Sequence, residues 1–195
     1  MDEGSACQYL QRIVLKGLQS GRAVEIEGLG TFYPDAELGV RFEPGRLPQV
    51  FIAYVKEDEA DATRLYTNLA AAGFSPWMDV RKLLPGQNWP RAIESAIETS
   101  DFFVACYSRN SVCKRGGFQA EIRYALDCAR LLPLDQIFIV PVRLNVCEPP
   151  HAIRHELQYV DLFPDRKPGL TRLISAMRRE VARRKELNDR LLGLA

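Results

Sequence analysis

The sequence predicts an α/β protein built on a parallel sheet with helices on both faces, preceded by a small unit of one helix and short strands. After Pro48, short apolar runs alternate with amphipathic helical patterns, which is typical of a parallel sheet. Before that point, short segments alternate apolar and polar residues, as half-buried strands do. We therefore expect a small α+β unit over 1–47, a larger α/β domain over 48–186 and a tail over 187–195.

Composition excludes several classes of protein. The chain has 195 residues, 47% of them hydrophobic and 26% charged, so it can bury a full core. No apolar run approaches the roughly 20 residues that span a bilayer, and the first residues lack the basic and apolar regions of a signal peptide. Five cysteines, an odd number, form no CxxC pair. We expect a reduced, cytoplasmic protein without a membrane segment.

The net charge of +1 hides a basic segment near the C-terminus. Residues 165–185 contain eight Lys or Arg and two Asp or Glu, a local excess of six positive charges. A solvated helix face is the common explanation for such a segment, and contact with nucleic acid or membrane is the rarer one.

The first unit is predicted from three kinds of pattern. Residues 6–19 carry an apolar helical stripe, and three short strands are expected at 23–27, 31–33 and 39–43. A unit of this size is marginally stable alone, so we interpret it as a docking or dimerisation appendage.

The α/β domain follows in regular alternation. Strands are expected where apolar runs are bounded by polar or turn residues: 49–55, 74–78, 101–107, 136–142 and 159–162. Helices are expected between them, where apolar residues recur at helical spacing: 62–72, from Pro90, 118–129 and 170–181. Gly73 is placed where a helix ends in a left-handed residue.

Parallel sheets of this kind bind ligands beyond the carboxyl ends of the strands, where the strand order reverses. In the flavodoxin-like order 2-1-3-4-5, that place lies between the first and third strands. It would bring Tyr54, Lys56, Ser108 and Glu121 around one crevice, with the loop 79–89 beside it.

Glu121 is the candidate acid of this crevice. The sequence places it in the first turn of the 118–129 helix, where unpaired N–H groups and the helix dipole favour an ionised carboxylate. On position alone, a helix-favouring acid without further function is the more common explanation.

Three segments resemble bacterial TIR (Toll/interleukin-1 receptor) domains over residues 49–161. They are VFIAYVKEDEADATRLYTNLAAAGFSPWMD, LLPGQNWPRAIESAIETSDFFVACYS and the run NSV followed by GGFQAEIRYAL. The resemblance implies a flavodoxin-like sheet and, as in many bacterial members, cleavage of NAD+ at the nicotinamide–ribose bond, often in defence against phage. Glu121 matches the glutamate on which that cleavage depends.

The resemblance also implies the other site residues and the partners. The aromatic residue after the first strand matches Tyr54, and the family's BB loop, through which neighbouring copies contact each other, matches 79–89. NAD+ is expected as a substrate, with no cofactor and no metal. The residues expected to bind it are Tyr54, Lys56, Asp79, Trp89, Ser108 and Ser111.

Two positions depart from the family pattern. Ala53 stands where the first strand usually has a serine, and Gly117 stands where a tryptophan often precedes the glutamate by four residues, with Phe118 one place later. These departures keep a second hypothesis open, in which the chain is a non-catalytic TIR–TIR interaction module.

A weaker resemblance, to bacterial histone-like proteins of the HU/IHF type, covers residues 6–45 through SGRAVEIEGLGTF and GVRFEPG. The first helix of that family is absent, and a short connector, 34–40, stands where its basic DNA-binding arms would be. Residues 1–47 carry five Lys or Arg against seven Asp or Glu, which argues against phosphate contacts. Nucleic acid is therefore not the expected partner.

Two further patterns carry no site. His151 and His155 have the i, i+4 spacing of zinc ligands, but no third ligand is evident in the sequence. Cys113 lies in the loop before Glu121 without a nearby histidine to activate it, so we interpret it as a free thiol.

Self-association is expected because the crevice of a single domain is open on one side, where water would weaken stabilisation by one carboxylate. The loop 79–88 carries Val80, Leu83 and Leu84 beside two cations, a pattern suited to docking on a neighbouring copy. We expect activity to rise with concentration or with an activating protein or ligand, and Leu84→Asp to reduce both assembly and turnover.

Overall fold

The structure, a computed structural model, describes residues 3–26, 29–35, 39–79, 86 and 88–191. Its contacts divide the chain into two compact units, Met1–Leu47 and Pro48–Ala195. Within the described residues, no helix combines the length and the apolar character needed to cross a membrane.

The first unit consists of a helix and a three-stranded antiparallel sheet. The helix α1 covers Glu3–Gln19, and the strands are β1 Val24–Ile26, β2 Gly30–Asp35 and β3 Gly39–Pro44, in the order β1-β2-β3. Phe32 faces Phe42 across β2 and β3, with ring centroids 4.6 Å apart. The predicted small helix-plus-hairpin unit is confirmed.

The second unit is a five-stranded parallel sheet with helices on both faces. Its strands are β4 Gln49–Ala53, β5 Ser75–Trp77, β6 Phe102–Tyr107, β7 Ile139–Arg143 and β8 Val160–Asp161. Its helices are α2 Glu59–Ala71, α3 Trp89–Glu98, α4 Gly117–Ala129, α5 His151–Glu156 and α6 Arg166–Leu191. The spatial order β5-β4-β6-β7-β8 is the predicted 2-1-3-4-5, with every neighbouring pair parallel. The predicted flavodoxin-like fold is confirmed.

The central strands are buried on both faces, as their apolar runs predicted. Alternate residues of β4 face opposite sides, so Val50 and Ile52 join one core cluster while Phe51 and Ala53 join the other. The first cluster packs against α2 and α6, and the second against α3 and α4. All six residues of β6 are buried, which places this strand at the centre of both clusters.

Gly73 ends helix α2 as predicted. Its φ is +89°, and the amide of Phe74 donates to the carbonyl of Leu69 at 3.1 Å, closing the last turn. This turn leads directly into β5, which makes the connection short.

The basic helix α6 differs from the simple expectation of a solvated basic face. Arg178 donates to the Ala72 carbonyl at 2.8 Å, and Arg184 donates to the Asp101 carbonyl at 3.1 Å. Arg166 donates to the Asp61 carboxylate at 2.8 Å. Several of the arginines therefore attach the helix to the body of the domain instead of presenting charge to a partner.

Two boundaries differ from the sequence prediction. Helix α6 continues through Leu191, past residue 186, after which we had placed a tail. A short helix, α5, begins directly after Pro150, between two strands where the sequence predicted no helix. Pro150 is the residue before the first helical position, and its backbone is extended, with φ −50° and ψ 146°.

Candidate functional site

The sheet brings the segments after β4 and β6 together. These two strands are adjacent and parallel, with Ala53 opposite Ala105, so both chains leave the sheet at the same edge. Tyr54 follows β4 directly, and Ser108 follows β6 directly. Helix α4, which carries Glu121, comes next in the chain after the β6 loop. The strand order therefore reverses, as predicted, where Tyr54, Ser108 and the segment that leads to Glu121 come together.

Tyr54 and Asp79 form a direct contact across this edge. The half-buried Tyr54 hydroxyl donates to Asp79 Oδ1 at 2.7 Å, although the two residues are 25 positions apart in the chain. Burial and the hydrogen bond to Asp79 raise the pKa of Tyr54 well above its usual value, and the charges of Asp79, Glu59 and Glu121 raise it further. Tyr54 is therefore a neutral donor that fixes the Asp79 carboxylate.

Glu121 lies beside this pair in a partly buried position. Burial raises its pKa to about 7, and the negative charge of Asp79 adds to the effect. Among the described residues, none supplies a hydrogen bond that offsets the burial of Glu121. Near neutral pH, this carboxyl is divided between its protonated and ionised forms.

This finding corrects the expectation that Glu121 is simply ionised. Helix α4 begins at Gly117, so Glu121 is its fifth residue and lies in the second turn, beyond the unpaired N–H groups of the first. The helix dipole weakens within one turn. Removal from water and the neighbouring Asp79 therefore decide the protonation state.

Ser108 and Ser111 have a different role from the predicted substrate contact. Both are fully buried, and the Ser111 hydroxyl accepts from the Ser108 amide at 2.8 Å. The Ser108 hydroxyl donates to the Asp58 carboxylate and accepts from the backbone N–H of Asn110 at 3.0 Å. A ligand cannot reach hydroxyls in this position, so these serines shape the loop after β6.

Asp58 and Asn110 are the residues that sequence reasoning missed. Asp58 is only 5% exposed. Its Oδ1 atom accepts a hydrogen bond from the side-chain amide of Asn110, Nδ2, at 2.8 Å. These contacts tie the turn after β4 to the loop after β6. The sequence offers three successive polar residues, 56–58, and nothing in their order distinguishes the one that turns inward.

Lys56 and Trp89 are both exposed, and no hydrogen bond or ring contact with Glu121 is found for either among the described residues. Lys56 begins a single 3-10 turn after β4, and Trp89, which is 58% exposed, begins helix α3. Most of the predicted BB loop, residues 80–85 and 87, lies outside the described residues. The expectations for Val80, Leu83 and Leu84 therefore stay predictions.

The two departures from the family pattern have distinct surroundings. Ala53 is fully buried in the core cluster against α3 and α4, so a methyl group occupies the place of a hydroxyl. Phe118 is 6% exposed and packs edge-on against Tyr107, with ring centroids 5.7 Å apart. Its ring therefore belongs to the core and leaves Gly117 at the surface next to Glu121.

The histidine pair also has a specific geometry. The rings of His151 and His155 stack, with centroids 3.9 Å apart on helix α5. Within the part of the chain that the structure describes, no cluster of three or more His, Cys, Asp or Glu side chains has the arrangement of a metal site. Cys113 is exposed and carries a free thiol, as its sequence context predicted.

The site therefore offers one protonatable carboxyl, a second carboxylate held by a tyrosine and an open surface at Gly117. A buried ionised carboxylate favours a cation or a developing positive charge next to it. This arrangement fits a positively charged reacting centre.

Comparison with known proteins places the chain in a family. The family model described as "TIR domain" matches residues 50–174, and the chain belongs to the TIR domain family. A curated relative is the uncharacterized protein y4cD of Sinorhizobium fredii, 26% identical over 152 residues. That match covers 77% of this chain but only 23% of the relative, so the chain spans about a quarter of that protein's length.

Solved structures agree with this assignment. The TIR domain of the Toll-related receptor TRR-2 from Hydra magnipapillata is 25% identical, with a TM-score of 0.55, over 66% of this chain and 97% of that domain. A metazoan TIR-STING receptor from C. gigas, determined with 2',3'-cGAMP, has the same fold. It is 21% identical, with a TM-score of 0.55, over 66% of this chain and 38% of the receptor.

Proposed function

We propose that this protein cleaves NAD+ at the nicotinamide–ribose bond, releasing nicotinamide and ADP-ribose in linear or cyclic form. The observation that carries the proposal is Glu121, a partly buried carboxyl beside the Tyr54–Asp79 pair at the strand reversal of a TIR domain. Perturbed carboxyls at such places are typical of catalytic groups.

The chemistry requires only one carboxylate at the reacting carbon. Nicotinamide departs as a neutral molecule, so the enzyme does not have to protonate it, unlike the leaving groups of glycosidases that need two carboxyls. Positive charge develops on the ribose as the bond breaks. An ionised Glu121, removed from bulk water, stabilises that charge more strongly than a solvated carboxylate does.

The raised pKa of Glu121 also suits a cationic substrate. The nicotinamide ring of NAD+ is positively charged, and an opposite charge close to a carboxyl favours its ionised form. Binding of NAD+ is therefore expected to lower the pKa of Glu121 below about 7 and to release a proton. The carboxylate is formed where the substrate needs it.

Chromatography of NAD+ incubated with concentrated protein tests the proposal. Wild-type protein is expected to convert NAD+ to nicotinamide and ADP-ribose, whereas Glu121→Gln lowers the rate by about 100- to 1,000-fold, the usual cost of removing one electrostatic stabiliser. Glu94→Gln is the matched control, since Glu94 is an exposed carboxylate on helix α3. Equal NAD+ loss in wild type and Glu121→Gln, or no loss at any protein concentration, contradicts the proposal.

Self-association through the loop 79–89 is part of the same proposal, as is a role in defence against phage. A neighbouring copy that covers the open side of the crevice would exclude water from the developing charge. Specific activity is therefore expected to rise steeply with concentration, in parallel with light scattering, and Leu84→Asp to reduce both. Constant specific activity down to concentrations at which only monomer scatters would contradict this step.

The alternative function, a TIR interaction module without catalysis, is favoured by Ala53 and Gly117, which replace residues usual in the family. It predicts that Glu121→Ala is silent in cells, whereas changes in the loop 79–89 abolish function. A phenotype lost with Glu121→Ala, while folding and assembly persist, excludes the alternative.

A further inference from the structure

Gly117 leaves a space directly beside the candidate catalytic carboxyl. It is the first residue of helix α4 and stands four positions before Glu121, so the two share one helix face. A Cβ atom built on Gly117 would lie 3.9 Å from Glu121 Oε1, and apart from its two chain neighbours and the backbone of its own helix no other described atom comes within 4 Å of it. A side chain at residue 117 would therefore begin next to the Glu121 carboxyl.

Nothing among the described neighbours covers this space. Residues 113–117 are all exposed, and Lys114 is engaged by Glu57, with nitrogen and oxygen 2.5 Å apart. Phe118, the nearest aromatic residue, is turned into the core against Tyr107. Among the described residues, the opening beside Glu121 is therefore set by the absence of a side chain at Gly117.

The proposed reaction indicates what enters this space. The anomeric carbon of the ribose must lie at the Glu121 carboxylate for its charge to be stabilised there. That carbon is part of the ribose and carries the departing ring, and this ring is the group at that carbon whose size can vary between substrates. A flat ring can approach the backbone of a glycine more closely than that of any other residue, because no Cβ intervenes.

We propose that Gly117 is a specificity-determining residue: its missing side chain admits departing rings that carry substituents larger than the carboxamide of nicotinamide. The substrate class is pyridinium N-ribosides of dinucleotides, with NAD+ as one member. This inference rests on the proposed NAD+ cleavage and adds that the site accepts leaving rings of different sizes.

The experiment crosses a size series at residue 117 with a size series on the leaving ring. The variants are Gly117→Ala and Gly117→Leu, and Ala120→Leu is the matched control, since Ala120 is an exposed neighbour on the same helix. The substrates are NAD+, its 3-acetylpyridine and 3-benzoylpyridine analogues, and nicotinamide hypoxanthine dinucleotide, which changes only the adenine end. Gly117 has an ordinary helical φ and no close contact, so both substitutions should fold, and melting curves verify this.

Wild-type protein is expected to cleave the benzoylpyridine analogue at a rate comparable to NAD+. Gly117→Leu should lower kcat/KM for that analogue at least about tenfold more than for NAD+, with Gly117→Ala between them, since a misfit of a few carbon atoms has this size of effect. Ala120→Leu should leave the ratio between the two substrates unchanged.

Three results would overturn the inference while leaving NAD+ cleavage intact. They are rejection of the benzoylpyridine analogue by the wild type, an equal loss for all leaving rings in Gly117→Leu, and a loss that follows the adenine end. If the wild type cleaves none of the dinucleotides, the proposed function fails, and the inference fails with it.

Discussion

Two carboxyl groups near one edge of the sheet, those of Asp58 and Glu121, are both removed from water. Among the described residues, only Asp58 has hydrogen-bond donors beside it. Asp58 is almost fully buried and accepts hydrogen bonds from Ser108 and Asn110. Glu121 is partly buried, sits near the negative charge of Asp79, and gains no compensating hydrogen bond from the described residues. A carboxylate whose oxygens are satisfied stabilises a fold, whereas one held without partners lowers stability unless a ligand completes it. Asp58 therefore anchors this edge of the sheet, and Glu121 is the candidate reactive group.

The largest expected effect is on the anchor. Asp58→Ala leaves the buried Ser108 hydroxyl and the Asn110 amide group without their acceptor, which should lower the free energy of unfolding by about 3 kcal/mol. Glu57→Ala, next to it on the exposed side of the same turn, is the control and should change little. Urea unfolding of the three proteins checks this. Equal stability of Asp58→Ala and wild type would show that the network does not anchor the edge.

The reactive group should show the reverse behaviour. The folded-state pKa of Glu121, about 7, is higher than that of an unfolded glutamate, so its burial lowers stability as pH rises from about 4.5 to 7. Glu121→Gln should therefore be more stable than the wild type above pH 7, by about 2 kcal/mol for this partly exposed side chain, and equal to it near pH 4. Thermal or urea unfolding at several pH values measures the difference. A difference that does not change with pH would contradict the assigned environment.

A smaller effect is expected at Asp79. Asp79→Asn removes the negative charge that contributes to the raised pKa of Glu121, so the pH at which kcat/KM for NAD+ is half-maximal should move to lower pH, by about one unit. The direction is fixed because the ionised carboxylate is the active form and less repulsion favours it. The profile of kcat should already lie lower than that of kcat/KM, since bound NAD+ favours the carboxylate. An unchanged midpoint in Asp79→Asn would indicate that burial alone sets the pKa.

The sequence predicted the fold of this domain well because its strands are buried on both faces. The residues of β4 and β6 face two core clusters, one on each side of the sheet. Both faces of these strands must therefore be apolar, which produces the continuous apolar runs at 49–55 and 101–107. The strand order was that of the flavodoxin-like class, which the alternation of strands and helices and the resemblance to TIR domains indicated. The predicted position of Glu121 at the strand reversal depended on that order.

The remaining features depended on three-dimensional surroundings that no local pattern records. The sequence could not show that Asp58 turns inward while Lys56 and Glu57 stay exposed, because all three are polar. Helix position indicated an ionised Glu121, yet removal from water outweighs a dipole that fades within one turn. The inward bonds of Arg178 and Arg184 are likewise invisible in a count of charges.

The most direct test of this account is the protonation of Glu121 itself. Carboxyl-carbon NMR of protein with ¹³C-labelled glutamate, compared with Glu121→Gln to assign the signal, measures that protonation without requiring assembly or turnover. The account predicts that the Glu121 signal titrates with a midpoint near pH 7 and that added NAD+ moves the midpoint to lower pH. A midpoint near 4.5, the value of a solvated glutamate, would contradict the account, since Glu121 would then be an ordinary exposed acid.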